Sequence, residues 1–487
     1  MTKNNESVDV LIVGAGLSGI GGACQLRRNS PDQSFMILES RAVSGGTWDL
    51  FRYPGIRSDS DMYTYAYGFK PWKDKSSIAD GHKILSYIRE AAAEYNVERH
   101  IRYQHKVVAA NWSSTGNRWL VTAERGDTGE QVTISCKFIF NCSGYYDYDQ
   151  GHTPEFAGSD DFKGKVVHAQ DWPEDLDYKG KRVVVIGSGA TAVTLVPSMS
   201  KDTASLVMLQ RTPTFIANVP QEQPIAKKLR NWMPDSWVFR LTRWKQVLFQ
   251  IYLYKLSRKR PQELKKVLIG RVREELGPDY DVDTHFTPSY NPWDQRLCAV
   301  PDGDMFAAIR EGRAEVVTDH IDHFNNEGIQ LKSGKQLDAD IVILATGLNL
   351  KFAGGVTYII DDKEVDFTEH YIFRGMMFSG VPNMAFTVGY TNSSWTLKAE
   401  LTGKYVSRLL NKMSKGGYSS VTPRLKGNIE EVPLLDFDAG YVLRARDKFP
   451  KQGNRLPWKN YQNYIRDFIG LRIGRLNDKE LEFRKGC

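Results

Sequence analysis

Val8–Gly19 reads V-D-V-L-I-V-G-A-G-L-S-G. Its first six residues are an apolar, β-branched run of the kind that lies buried in a parallel sheet. The run ends at Gly14, Gly16 and Gly19, which have the G-x-G-x-x-G spacing. Ile20–Arg28 is the predicted helix that follows, and Ser34–Leu38 is a second strand that delivers Glu39 to its carboxyl end. Strand, glycine turn, helix, strand and acid in this order predict a dinucleotide-binding βαβ unit. Gly14 permits the tight turn and Gly16 lets backbone approach a pyrophosphate. Gly19 lets helix and strand pack closely, and the helix N-terminus favours the anion. Glu39 lies 20 residues past Gly19, where a carboxylate accepts hydrogen bonds from ribose hydroxyls. It also repels a 2′-phosphate, so this first site suits FAD or NAD rather than NADP.

The pattern recurs further along the chain. Arg182–Ile186 is another buried-strand run, and it enters G-S-G-A-T-A with Gly187, Gly189 and Ala192 at the same spacing. The next strand, Ser205–Leu209, delivers Gln210, Arg211 and Thr212 instead of an acid. A guanidinium and a hydroxyl there suit a 2′-phosphate. The contrast between Glu39 and Arg211 assigns FAD to the first site and NADPH to the second. Asp340–Gly347 (D-I-V-I-L-A-T-G) reads as a further core strand closing on a glycine turn. The expected fold is therefore α/β, with two Rossmann-like dinucleotide-binding domains. Residues 1–155 and 350–487 are expected to form the FAD-binding domain, and residues 156–220 and 290–349 the NADPH-binding domain. Residues 221–289 are expected to be a helical insertion.

The remaining composition narrows the class. The chain has 487 residues, 41% of them hydrophobic and 25% charged, so it has ample core material and no signature of disorder. The net charge of +7 is concentrated in Lys227–Arg273, and no nucleic-acid motif accompanies it. That insertion, rich in Trp, Tyr, Leu, Lys and Arg, reads first as a lid or packing layer and second as a membrane-surface helix. Cys24, Cys136, Cys142, Cys298 and Cys487 contain no C-x-x-C pair, which argues against a zinc site and against a flavin disulfide reductase. M-T-K-N-N-E-S runs straight into the first strand. A cytoplasmic protein without signal peptide or membrane span is therefore expected.

Between the two glycine loops, Phe162–Pro173 reads F-K-G-K-V-V-H-A-Q-D-W-P, and Gly45–Asp59 reads G-G-T-W-D-L-F-R-Y-P-G-I-R-S-D. Phe162, Gly164, His168, Trp172 and Pro173 form F-x-G-x-x-x-H-x-x-x-W-P. Gly45, Gly46, Trp48, Tyr53, Pro54, Gly55 and Asp59 form G-G-x-W-x-x-x-x-Y-P-G-x-x-x-D. Both resemble signatures of the type I Baeyer–Villiger flavin-containing monooxygenases. G-Y-T-N-S-S-W-T-L-K and N-P-W-D-Q-R-L-C are similar to the ethionamide-activating subgroup.

The resemblance implies an NADPH- and O2-dependent enzyme that converts ketones to esters or lactones through a flavin C4a-peroxide. It implies that the reactive arginine is Arg296 and that Asp59 is its carboxylate partner. It carries FAD contacts to Gly46, Thr47, Trp48, Asp59, Tyr65 and Val107, and NADPH contacts to Ala190, Thr191 and Gln295. Many relatives have lysine where this chain has Gln295, so the 2′-phosphate is expected to depend more on Arg211 and Thr212. His168 and Trp172 are expected to position the domains rather than move protons. Trp172-Pro173 favours ketones, since oxygenases of nitrogen and sulfur usually lack that ending. An oxygenase of sulfides, thioamides or amines is the alternative. A reductase with another acceptor and a non-catalytic flavin-binding protein stand behind it.

Overall fold

Val10–Val13 is buried at every position, because this segment runs between two parallel neighbours. In the computed structural model, which describes residues 6–295, 297–434 and 439–486, strand Glu6–Val13 is flanked by Phe35–Leu38 and Gln131–Asn141. Val13 lies opposite Leu38 on one side and Asn141 on the other. Helix Leu17–Asn29 begins directly after the glycine turn, with Gly16 as its extended N-cap. The expected helix thus starts a few residues earlier than apolar spacing indicates. His105–Ser113, Arg118–Arg125 and Gln131–Asn141 form an antiparallel meander on the same sheet. Late residues return to it: Thr357–Ile360 pairs with the meander, and Met384–Phe386 with Gln131–Asn141. Helix Trp395–Gly416 covers Leu17–Asn29, fastened by Ser30 Oγ donating to Ser407 O (3.1 Å) and Asn411 Nδ2 to Asn29 O (2.7 Å).

The second sheet is wholly parallel. Its strand order is Glu315–Thr318, Ser205–Gln210, Arg182–Ile186, Ile341–Leu344 and Lys165–His168. Both faces are covered, as a parallel sheet requires. Val183 and Val185 enter one core, while Val184 and Ile186 enter the other. Two connections join the sheets, and they pair with each other as the short strands Tyr146–Gly151 and Leu348–Leu350.

The stretch expected to be helical holds Pro224–Leu229, Asp235–Lys259, Pro261–Leu276 and Val282–Phe286. It touches both halves of the molecule. Val238, Phe239 and Val247 join the first sheet's core, whereas Val272 and Leu276 join the second's. Arg243 anchors the long helix, donating to Tyr63 O (2.9 Å), Ala66 O (2.7 Å) and Glu400 Oε2 (3.1 Å). Burial works to raise the Glu400 pKa, but Arg243, Lys404 and the Gly68 N–H outweigh it and hold the carboxyl below its usual range. Helix Gly81–Glu94 has an electrostatic role as well as a packing one. Its Arg89 Nη2 donates to the buried carboxylate of Asp49 at 3.0 Å. Among the described residues no helix is long and apolar enough to cross a membrane.

Candidate active site

Both glycine turns open on one cavity of about 470 Å³. Gly14 and Gly16 stand on one wall, and Gly189, Ala190 and Thr191 on another. The second turn depends on its first glycine. Gly187 has φ +136°, and a Cβ there would lie 2.4 Å from Ala345 O, so a side chain would push the turn off the neighbouring strand end. Space beside Gly189 is open, with nothing within 4 Å of where a Cβ would be.

Glu39 is buried on the cavity wall at the end of its strand. Its Oε2 accepts from Ala15 N (2.6 Å) and its Oε1 from Arg41 N (2.9 Å). Burial raises its pKa against those two N–H groups and the Arg41 charge. Thr47, Trp48, Tyr65 and Val107 also line the cavity. Trp48 Nε1 donates to Tyr65 OH at 2.7 Å with the rings edge to face, so two flat surfaces hold each other at a fixed angle. Gly46 closes against Gly16, and Thr47 Oγ1 shares a proton with Tyr148 OH at 3.0 Å. Asp59 is on the wall and exposed. Arg296 lies outside the described residues.

Other expected site residues stand behind the wall rather than on it. Gly19 and Gly187 shape the turns from beneath. Arg211 and Thr212 are exposed at the end of Ser205–Gln210, beside the second turn, where Ser188 Oγ donates to Thr212 O at 3.2 Å. Gln210 faces inward instead, donating to His285 O (2.7 Å) and Thr318 Oγ1 (2.8 Å). Gln295 is half-buried and bridged to Pro292, off the cavity wall.

The signature run does not line the cavity either. Lys165–His168 is an edge strand of the second sheet, not a loose connection. Phe162 packs edge-on to Phe324 (6.0 Å) in the core beside Gly164, and Trp172, next to Pro173, packs edge-on to Tyr178 (6.3 Å). His168 Nδ1 accepts from Gln170 N (3.1 Å), and burial lowers the ring's pKa below its ordinary value. Gln170 Nε2 donates to Asp147 O (3.1 Å) and Tyr148 O (3.3 Å), so the run clips the second sheet to a strand that connects the two.

Sequence reasoning missed an aromatic group. Tyr145 stacks on Trp395 (5.0 Å) and packs against Tyr146 (4.4 Å), and all three line the cavity. Y-Y-D-Y directly after Ser143-Gly144 was the available signal, because a strand end beside a cofactor loop needs no such cluster for packing. Lys351, also on the wall, pairs with Asp147 and Asp149 at 2.9 Å each. Burial pushes the Cys24 and Cys142 thiols up to about 12. Such thiols stay protonated and unreactive, in keeping with the missing C-x-x-C pair. No cluster among the described residues could hold a metal ion.

Two dinucleotide turns facing one aromatic cavity define a two-nucleotide oxidoreductase, and the comparisons with known proteins narrow it. A family model described as flavin-binding monooxygenase-like matches residues 58–367, and one for an NAD(P)-binding Rossmann-like domain matches residues 12–75. The chain belongs to the flavin-binding monooxygenase family and is an oxidoreductase. It is 52% identical to the FAD-containing monooxygenase EthA of Mycobacterium tuberculosis, over 99% of this chain and 98% of that one. It is 48% identical to a probable FAD-binding monooxygenase AlmA of Acinetobacter sp, over 99% and 97%. Among solved structures it resembles oxidized steroid monooxygenase bound to NADP (TM-score 0.77, 18% identity, 99% and 100% covered). It also resembles OTEMO in complex with FAD and NADP (TM-score 0.70, 22% identity, 85% and 88% covered). The α/β fold with Rossmann-like domains is therefore that of the Baeyer–Villiger type, as the two signatures led one to expect.

Proposed function

We propose that this monooxygenase uses FAD and NADPH to convert ketones to esters or lactones. The observation that carries the reading is the single cavity with both nucleotide turns on its walls and Trp48, Tyr65, Tyr145, Tyr146 and Trp395 around it. The residues present fit both groups: a ribose-binding acid and glycine backbone on the cavity wall at the first turn, open space beside Gly189 at the second. When bound, FAD supplies the oxygen-activating centre and NADPH the electrons.

The chain's own residues have four tasks. Glu39 accepts from ribose hydroxyls, and Gly14, Gly16 and Gly46 admit the pyrophosphate. Ala190 and Thr191 receive the second pyrophosphate, while Arg211 and Thr212 hold the 2′-phosphate. Arg296 brings a permanent positive charge to the negative charge that develops during oxygen transfer, and Asp59 orients it. The aromatic walls exclude water, which would divert the oxygen into hydrogen peroxide. In this reading residues 1–155 and 350–487 serve FAD, residues 156–220 and 290–349 serve NADPH, and residues 221–289 bridge them.

The assignment of Arg211 is tested with the two nicotinamide cofactors. Arg211→Ala is expected to raise KM for NADPH by about 10–100-fold, the worth of a charge-assisted hydrogen bond, and to leave KM for NADH within about twofold. Equal losses with both cofactors would remove Arg211 from 2′-phosphate recognition. The substrate class is tested by giving the purified holoenzyme NADPH with a ketone and a sulfide together. Ester is expected as the main product. Sulfoxide formed in large excess would make the enzyme a heteroatom oxygenase instead.

A further inference from the structure

The long helix Asp235–Lys259 has two sides of opposite meaning. Inward it presents Val238, Phe239, Val247 and the buried Arg243. Outward it presents Trp237, Leu241, Trp244, Leu248, Phe249 and Tyr252, between 41% and 60% exposed. Spacings of three and four residues set these on one helix face. A helix that packs one side on a core ordinarily turns a polar side to water, whereas this second side is apolar and solvent-exposed.

The stripe continues beyond its own helix. Trp244 packs on Tyr464 (5.9 Å) and edge-on to Phe468 (5.4 Å), and the segment Phe468–Ile473 adds Ile469 and Ile473, 56% and 65% exposed. Just before the helix, Trp232 is 87% exposed. Two distant parts of the chain thus build one apolar surface.

Charge identifies the occupant. The helix carries six Lys or Arg against one Asp. Arg243 and Arg258 pair with Glu400 and Asp294, but Arg240, Lys245, Lys255 and Lys259 are exposed among the apolar residues. Arg240 lies over the Trp237 ring and Lys245 over Phe249. Lys227, Lys228, Arg466, Arg472 and Arg475 add exposed positive charge on the flanking segments. A two-fold contact with a second copy would set these cations against their own kind. An anionic bilayer neutralises them while its interface accepts Trp, Tyr and Leu.

We propose that this face docks the protein on anionic lipid membranes, peripherally and without spanning. The helix also touches the site. Gln250 Nε2 donates to Asp61 Oδ2 (3.1 Å), and Ser393 Oγ donates to Gln250 Oε1 (2.6 Å). Ser393 lines the cavity, so docking sets the cavity about one helix diameter, roughly 10 Å, from the bilayer surface.

The test is flotation of the full-length, FAD-loaded protein with vesicles of phosphatidylcholine plus phosphatidylglycerol, beside vesicles of phosphatidylcholine alone. Binding is expected to the mixed vesicles and to weaken with salt. The combined variant Arg240→Glu, Lys245→Glu, Lys255→Glu is expected to lose about fivefold per charge or more. The combined variant Trp237→Ser, Leu241→Ser, Leu248→Ser, Tyr252→Ser, whose side chains all point outward, is expected to lose about tenfold or more. Unchanged NADPH oxidation in both variants shows that the fold survives. No flotation at low salt, or flotation that neither variant weakens, overturns the proposal. So does a dimer in sedimentation that the serine variant dissolves in the absence of lipid binding, since a second copy would then cover the face.

Discussion

Arg296→Ala is expected to lower ester formation by about a hundredfold or more while the enzyme goes on consuming NADPH. The reasoning is chemical. Oxygen transfer to a carbonyl places negative charge first on the attacking oxygen and then on the tetrahedral adduct. A guanidinium stays protonated at any working pH, and a fixed cation in a water-poor cavity stabilises developing charge far more than one in water. Hydride delivery to the flavin makes no comparable demand. The variant should therefore uncouple the two halves of the reaction, spending NADPH and releasing hydrogen peroxide. Arg296→Lys should retain part of the ester yield, because the charge survives and the fork geometry does not. Normal ester formation by the alanine variant would remove Arg296 from the mechanism.

Gly19→Ala is expected to abolish FAD retention. A Cβ at this position would lie 1.8 Å from Gly14 O and 3.5 Å from Ile12 Cγ2. The clash is with backbone, which cannot swing aside as a side chain would. Relief requires the helix to move off the strand, and with it the N–H groups at Leu17–Asn29 that face the first turn. The second unit has Ala192 at the corresponding place, so the constraint belongs to the geometry of this particular turn. Purified protein should lack the flavin absorbance and show no NADPH oxidase activity, while far-ultraviolet circular dichroism reports a folded chain. A yellow, active variant would mean that the turn holds no pyrophosphate.

Where local chemistry decides the outcome, the chain was easy to read. Glycine spacing and buried β-branched runs gave two βαβ units in order, and Arg182–Ile186 was placed to the residue. Features made by distant segments were not legible. Nothing local says that Met384–Phe386 returns to pair with Gln131–Asn141, or that Trp395 meets Tyr145 across the cavity. The signature run shows the same limit. Its residues identify a family, but its role as an edge strand clipped by Gln170 to a connection depends on sheet order. The helical insertion was recognised, while its contact with both cores was not. Periodicity reports one buried face per helix, and Asp235–Lys259 carries an apolar stripe on each side.

The most direct test of the whole account follows the oxygen atom. Holoenzyme supplied with NADPH, a simple cyclic ketone and isotopically labelled dioxygen should give a lactone carrying a single labelled atom, in the ring oxygen, with one NADPH consumed per lactone formed. Unlabelled lactone, or NADPH oxidised with the ketone returned intact under every condition tried, would contradict it.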